Sequence, residues 1–139
     1  MKNILLGVSG SISAYKAADI TNQLTKLGYN LDVVMTKSST EFITPLTIQS
    51  LSHRLVHLDV MDEPDAALIN HIALAKAADL FLVAPASANI IGKLANGIAD
   101  DLLSTVALAL LPDTPKVIAP AMNTYMYQNP IVQRNLATL

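Results

Sequence analysis

Four short clusters carry the side chains that could bind or transform a small molecule: Ser9-Gly10-Ser11-Ile12-Ser13, Thr36-Lys37-Ser38-Ser39, Pro85-Ala86-Ser87-Ala88-Asn89 and Ala121-Met122-Asn123. Each follows directly on an apolar run. The first opens an amphipathic stretch, so backbone N–H groups and hydroxyls gather at the positive end of a helix, which suits a phosphate. The same residues also serve as ordinary helix caps, and alone they leave both readings open. A dinucleotide site would show G-x-G-x-x-G at this turn and an acidic residue ending the second run. Here the turn reads G-V-S-G-S, and the second run ends in Thr36, Lys37 and Ser38. Hydroxyls stand where a ribose-binding carboxylate would be, which favours a terminal monophosphate over NAD. The third cluster leaves room for something flat, with Ser87 and Asn89 able to bond its edge. It reads equally as a plain helix start.

Other chemistries are excluded by what the chain lacks. It has no cysteine, so disulfides, thiolate metal sites and cysteine nucleophiles are absent. Its three histidines, His53, His57 and His71, show no metal-ligand spacing, and no metal site is expected. A histidine among apolar residues is more often a satisfied structural group than a reactive one. No basic block suggests nucleic acid. No run reaches the ~18 apolar residues of a membrane span, and MKNILLGVSG lacks the basic region and cleavage site of a secretory signal. A cytoplasmic protein is expected. The 139 residues are 52% hydrophobic and only 14% charged, with net charge −2, so some apolar surface is expected to meet other subunits.

The elements that must position these clusters follow from periodicity. Apolar runs at 3–9, 29–36, 55–60, 78–84 and 116–119 read as strands, the last two ended by Pro85 and Pro120. Helical spacing covers 12–27, closed by Gly28. A second helix is expected over 39–52, bent or begun afresh at Pro45, then one or two over 90–111 and a helical tail from Tyr125. MDEPDAA at 61–67 reads as the one clearly polar loop. Alternating short runs and helices predict a single-domain α/β fold over 1–139: a doubly wound, open parallel sheet of Rossmann-like or flavodoxin-like type, helices on both faces. In such a sheet ligands bind beyond the carboxyl ends of the strands, where the four clusters fall. The helical pattern still running at Leu139 suggests that a C-terminal portion follows.

Three longer segments, GSISAYKA at 10–17, HIALAKAADLFLVAPASANIIGKLANGIADDLL at 71–103 and PAMNTYMYQNP at 120–130, resemble the FMN-dependent cysteine decarboxylase flavoproteins in order and spacing over nearly the whole chain. The resemblance implies FMN as cofactor and a homo-oligomer, a trimer or a multiple of trimers, with FMN near subunit interfaces. It implies that Ser9, Gly10, Ser11, Thr36, Ser38, Pro85, Ala86, Ser87, Ala88 and Asn89 hold FMN, with Ala121 and Met122 beside its ring. His71 becomes the active-site histidine that assists proton movement. Asn123 recognises the carboxylate to be lost, within a substrate-closing segment that includes Met126. Tyr127 stands where the family pattern has Trp.

Within that family the segments are most similar to members that act on 4′-phosphopantothenoylcysteine in coenzyme A biosynthesis. The implied sequence is oxidation by flavin to a thioaldehyde, loss of CO2, and re-reduction of the enethiol to give 4′-phosphopantetheine. The family's protonating cysteine lies on a C-terminal flap, so residues beyond Leu139 are expected to supply it. Rival family readings are a peptidyl-cysteine decarboxylase of lantibiotic maturation, a flavin prenyltransferase, and a non-catalytic subunit regulating a protein phosphatase.

Overall fold

A computed structural model describes residues 2–58 and 70–139. Its centre is a sheet of four parallel strands, β1 (Asn3–Val8), β2 (Asn30–Met35), β3 (Leu80–Ala86) and β4 (Lys116–Pro120), in the order β2-β1-β3-β4. The first connection steps to one side of β1 and the next returns to its other side. The order therefore reverses between β1 and β3, and the crevice beyond their carboxyl ends is the natural ligand position.

Seven helices cover the sheet among the described residues: α1 (Lys16–Lys26), α2 (Pro45–Ser52), α3 (Asn70–Ala77), α4 (Ala88–Asn96), α5 (Leu102–Ala109), α6 (Thr124–Gln128) and α7 (Pro130–Thr138). Alternation along the strands divides the core in two. Ile4, Leu6, Val8, Leu31, Val33 and Met35 pack with Ala17 of α1 and Ile48 of α2 on one face. Leu5, Val34, Phe81 and Val83 pack with Leu74 of α3, Ile90 of α4 and Leu103 of α5 on the other. Gly7 lets α5 lie against β1, since a Cβ there would collide with the Leu103 side chain.

Several boundaries differ from expectation for identifiable reasons. The stretch 12–27 begins as a 3-10 turn over Ile12–Tyr15 before α1 starts. The 39–52 segment divides in the same way, a 3-10 turn at Ser38–Glu41 preceding α2, whose first residue is Pro45 and whose cap is the Thr44 hydroxyl. The single helix or pair expected over 90–111 is a pair, because Gly97 takes φ 70 at the end of α4 and Asp101 caps α5. The tail is also two helices, Asn129 capping the second and Pro130 opening it.

The third sequence run departs furthest. Within 55–58 only His57 joins the sheet, as a one-residue parallel bridge to Val34 at the β2 edge, its N–H donating to Val33 O at 2.9 Å. Residues 59 and 60 and the MDEPDAA loop lie outside the described residues. Pro85 does not end its strand either. β3 continues to Ala86 through a cis Ala84–Pro85 bond, with an irregularity in its pairing to β4 between Val83 and Ala86. Helix α3 answers to no expected element. Among the described residues no helix is long and apolar enough to cross a membrane.

Candidate active site

Two clefts open at the carboxyl ends of the strands and share Gly10 and Ser87 as a common wall. The first, of about 460 Å3, lies where β1, β2 and β3 end. Ser9 and Gly10 form its floor, Thr36, Lys37 and Ser38 one side, and Ser87, Asn89 and Ile90 the other. The second, of about 430 Å3, runs from Ser11, Ile12 and Ser13 past Ala88 to Ala121, Met122, Asn123 and Met126.

The floor is held by a hydroxyl whose bonds are already used. Ser9 is buried, donates its hydroxyl to Pro85 O at 2.6 Å and accepts from Ser87 N at 2.8 Å. It ties the β1 turn to the β3 turn across the reversal point. Pro85 and Ala86 are both buried and lie beneath the clefts, not in their walls, Pro85 acting through its carbonyl. Gly10 permits close approach of the β2 turn: a Cβ would stand 2.5 Å from Ser38 Oγ and 2.8 Å from Ser38 Cβ.

The β2 turn braces itself in the same way. Buried Ser39 donates its hydroxyl to Thr36 O at 2.6 Å and its N–H to Thr36 Oγ1 at 3.2 Å, while Ser38 Oγ lies 3.3 Å from Thr36 Oγ1. Ser11 and Ser87 accept from Ser13 N and Ile90 N, capping the 3-10 turn and α4. The readings as helix caps and as cleft walls are thus both realised in the same residues. The resulting hollow has hydroxyls and a glycine floor at one end and small or thioether side chains at the other. A phosphate monoester carrying a flat ring fits that donor set, and FMN is such a molecule.

Asn123 caps α6. Its Oδ1 accepts from Tyr125 N at 2.8 Å, which leaves the Nδ2 hydrogens to donate into the second cleft. Met126 lies one turn on, in the same wall. Tyr125, Met126 and Tyr127 are all exposed. His71 is half-buried in the first turn of α3 and lines neither cleft. The end of α3 is tied to the start of β1, Asn3 Nδ2 donating to Ala77 O at 3.0 Å, and His71 stands at the helix's opposite end.

The first cleft is also lined by Glu41, Lys93 and Asp101, charged residues that lie outside the four strand-end clusters. Lys93 Nζ lies 2.8 Å from Asp100 Oδ1 and 3.1 Å from Asp101 Oδ2. The hydrogen bond to Asp100 leads in raising the Lys93 pKa, partial burial opposes it, and Asp101 adds to the rise. Burial alone would push the Asp101 carboxyl up, but hydrogen bonds from the Ser104 hydroxyl and amide, with Lys93, bring it below the usual carboxylate range. A lysine and an aspartate read as solvated surface in a sequence; only the fold turns Lys93 and Asp101 toward the cleft.

The chain is similar to known proteins along its whole length. The "Flavoprotein" family matches residues 1–139. A probable phosphopantothenoylcysteine decarboxylase of Streptococcus mutans is 61% identical over 138 residues, covering 99% of this chain and 77% of that protein. The coenzyme A biosynthesis bifunctional protein CoaBC of Bacillus subtilis is 51% identical over 99% of this chain, which spans only 34% of its length. Among solved structures, the FMN-dependent cysteine decarboxylase SpaF superposes with a TM-score of 0.92 at 35% identity, covering 100% of this chain and 79% of that one. The parallel α/β sheet, the paired clefts at its reversal point and the match over every residue place this chain in the flavoprotein family.

Proposed function

We propose that this chain is the FMN-dependent decarboxylase unit that converts 4′-phosphopantothenoylcysteine to 4′-phosphopantetheine in coenzyme A biosynthesis, in the cytoplasm. The observation that carries the reading is the joining of a hydroxyl-walled cleft to an Asn- and Met-walled cleft across Gly10 and Ser87. Ser38, Thr36 and the Gly10–Ser11 backbone would hold the phosphate, and Ser87 to Asn89, Ala121 and Met122 the ring. Bound FMN would supply a two-electron acceptor and donor, which a cysteine carboxylate needs because its loss alone leaves a carbanion without a sink.

The chain's own part is to orient the substrate and move protons. Asn123 donates from Nδ2 to the departing carboxylate without neutralising it, whereas a cation would stabilise the ground state. Met126 closes the apolar side. His71 moves the proton that accompanies oxidation of the substrate.

Since His71 lines neither cleft of its own chain, this role needs the cleft of a neighbouring copy. A homo-oligomer, a trimer or a multiple of trimers, supplies one. Ile12 in the wall of the second cleft and Tyr125 on α6, 80% and 82% exposed, are apolar surface that such an assembly would cover.

The test is the product mass after the full-length protein meets 4′-phosphopantothenoylcysteine with no added cofactor. Loss of CO2 alone supports the complete reaction. Loss of CO2 and two hydrogens instead supports the oxidative half-reaction of a peptidyl-cysteine decarboxylase. In the same assay His71→Asn should keep FMN and the oligomer while turnover falls by roughly a hundredfold or more. Loss of flavin together with turnover would make His71 structural.

A further inference from the structure

The charged end of the first cleft has an unusual construction. Asp101 is pinned whether or not Lys93 is present, because its Oδ1 caps α5, accepting from Ser104 N at 2.8 Å and from Ser104 Oγ at 2.6 Å. The carboxylate therefore stays in the cleft wall whatever its neighbours do. Glu41 adds a second carboxylate to that wall, and Lys37 and Lys93 are the cations. Lys93 is the one already committed: it reaches from α4 to both Asp100 and Asp101, with only 17% of its side chain exposed. Removing it would leave the Asp101 carboxylate uncompensated in the wall of a cleft whose Thr36 and Ser38 hydroxyls suit a phosphate.

We propose that Lys93 is an electrostatic positioning residue of this cleft, neutralising Asp101 in its wall so that the site accepts a dianionic flavin monophosphate in preference to the uncharged flavin. The inference rests on the flavin reading above. It concerns the phosphate only, since the ring end of the site is remote from the ion pairs in composition: small residues and methionines line it.

Titrating the full-length apoprotein with FMN and with riboflavin separates charge from shape. Wild type should prefer FMN. Lys93→Met should weaken FMN by roughly tenfold, the loss of one favourable, solvent-screened charge near the phosphate. Riboflavin affinity should change by less than about twofold, and the FMN loss should shrink as salt is raised. Lys93→Arg should restore FMN. Asp101→Asn, which keeps the cap, should act in the opposite sense, tightening FMN and leaving riboflavin unchanged even if Lys93→Met proves unstable. Equal losses for both flavins would make Lys93 merely structural, and no change for FMN in either variant would overturn the proposal. Wild type that binds neither flavin, or does not prefer FMN, would remove the flavin monophosphate reading itself.

Discussion

The two clefts that meet at Gly10 and Ser87 are built by opposite means. The first is backed by buried hydroxyls whose bonds span the reversal of the sheet, Ser9 to Pro85 and Ser87 across 76 and 78 residues of sequence. The second is walled by α6, a helix of five residues with no buried member, whose cap bond runs from Asn123 to a residue two positions away. One wall is fixed by the core and the other by local bonds. A site that retains a cofactor needs donors already in place before binding, because ordering them afterwards costs conformational entropy. A segment that admits substrate and releases product must be able to change its contacts, and local opening draws on regions with few buried apolar groups. On the proposed function, the core-fixed cleft would hold the phosphate end of FMN and the locally built wall would face the substrate.

The largest effect should come from filling the shared floor. Gly10→Val places a branched side chain where Ser38 Oγ and Cβ already stand 2.5 Å and 2.8 Å from an ideal Cβ, so the β2 turn must move away. Overpacking of this kind costs about 1–3 kcal/mol, and a displaced hydroxyl wall should lower FMN affinity by roughly a hundredfold. Flavin content of the purified protein and a fluorescence titration measure it. Retention of FMN at wild-type affinity would show that Ser38 and the Gly10 turn are not jointly part of the phosphate site.

Next in size is the brace beneath that floor. Ser9→Ala removes the hydroxyl that both donates to Pro85 O and accepts from Ser87 N, leaving Ser87 N without that acceptor and Pro85 O with only the Ser9 N–H at 3.3 Å. The expected loss is about 2 kcal/mol of stability. Thermal melts of the apoprotein should show it, and excess FMN should recover part of it, because a ligand that binds only the folded form adds to its stability. An unchanged melting temperature would mean that the two turns are held together by strand pairing alone.

The same division decides how much could be read from residues in order. The strands at 3–8, 30–35 and 116–120 were legible because apolar runs bounded by Gly or Pro have no other use in a chain this size. Ser11, Ser87 and Asn123 were legible as strand-end polar groups, since a capping residue and a ligand-binding residue occupy the same position at a helix start. The described part of the next run, 55–58, misled because periodicity reports burial, and Leu55 is in fact 77% exposed with only His57 of these four entering the ladder. Helix α3 was hidden by its weak amphipathicity, alanines taking both of its faces. The Lys93–Asp101 contact depends on the left-handed turn at Gly97, which folds α5 back toward α4, and no spacing rule encodes that.

The smallest effect should appear in the locally built wall, and only in the substrate constants. Asn123→Asp retains an acceptor for Tyr125 N, so α6 keeps its cap and the fold should not change. What changes is the other half of the side chain: two N–H donors become a carboxylate facing the carboxylate of the substrate. In an exposed position such repulsion is screened, and a rise in KM of roughly tenfold is expected, with FMN affinity unaltered. The rise should be greatest at low salt. A fall in FMN affinity with KM unchanged would move Asn123 from the substrate to the cofactor, and the locally built wall would then serve to hold the flavin alone.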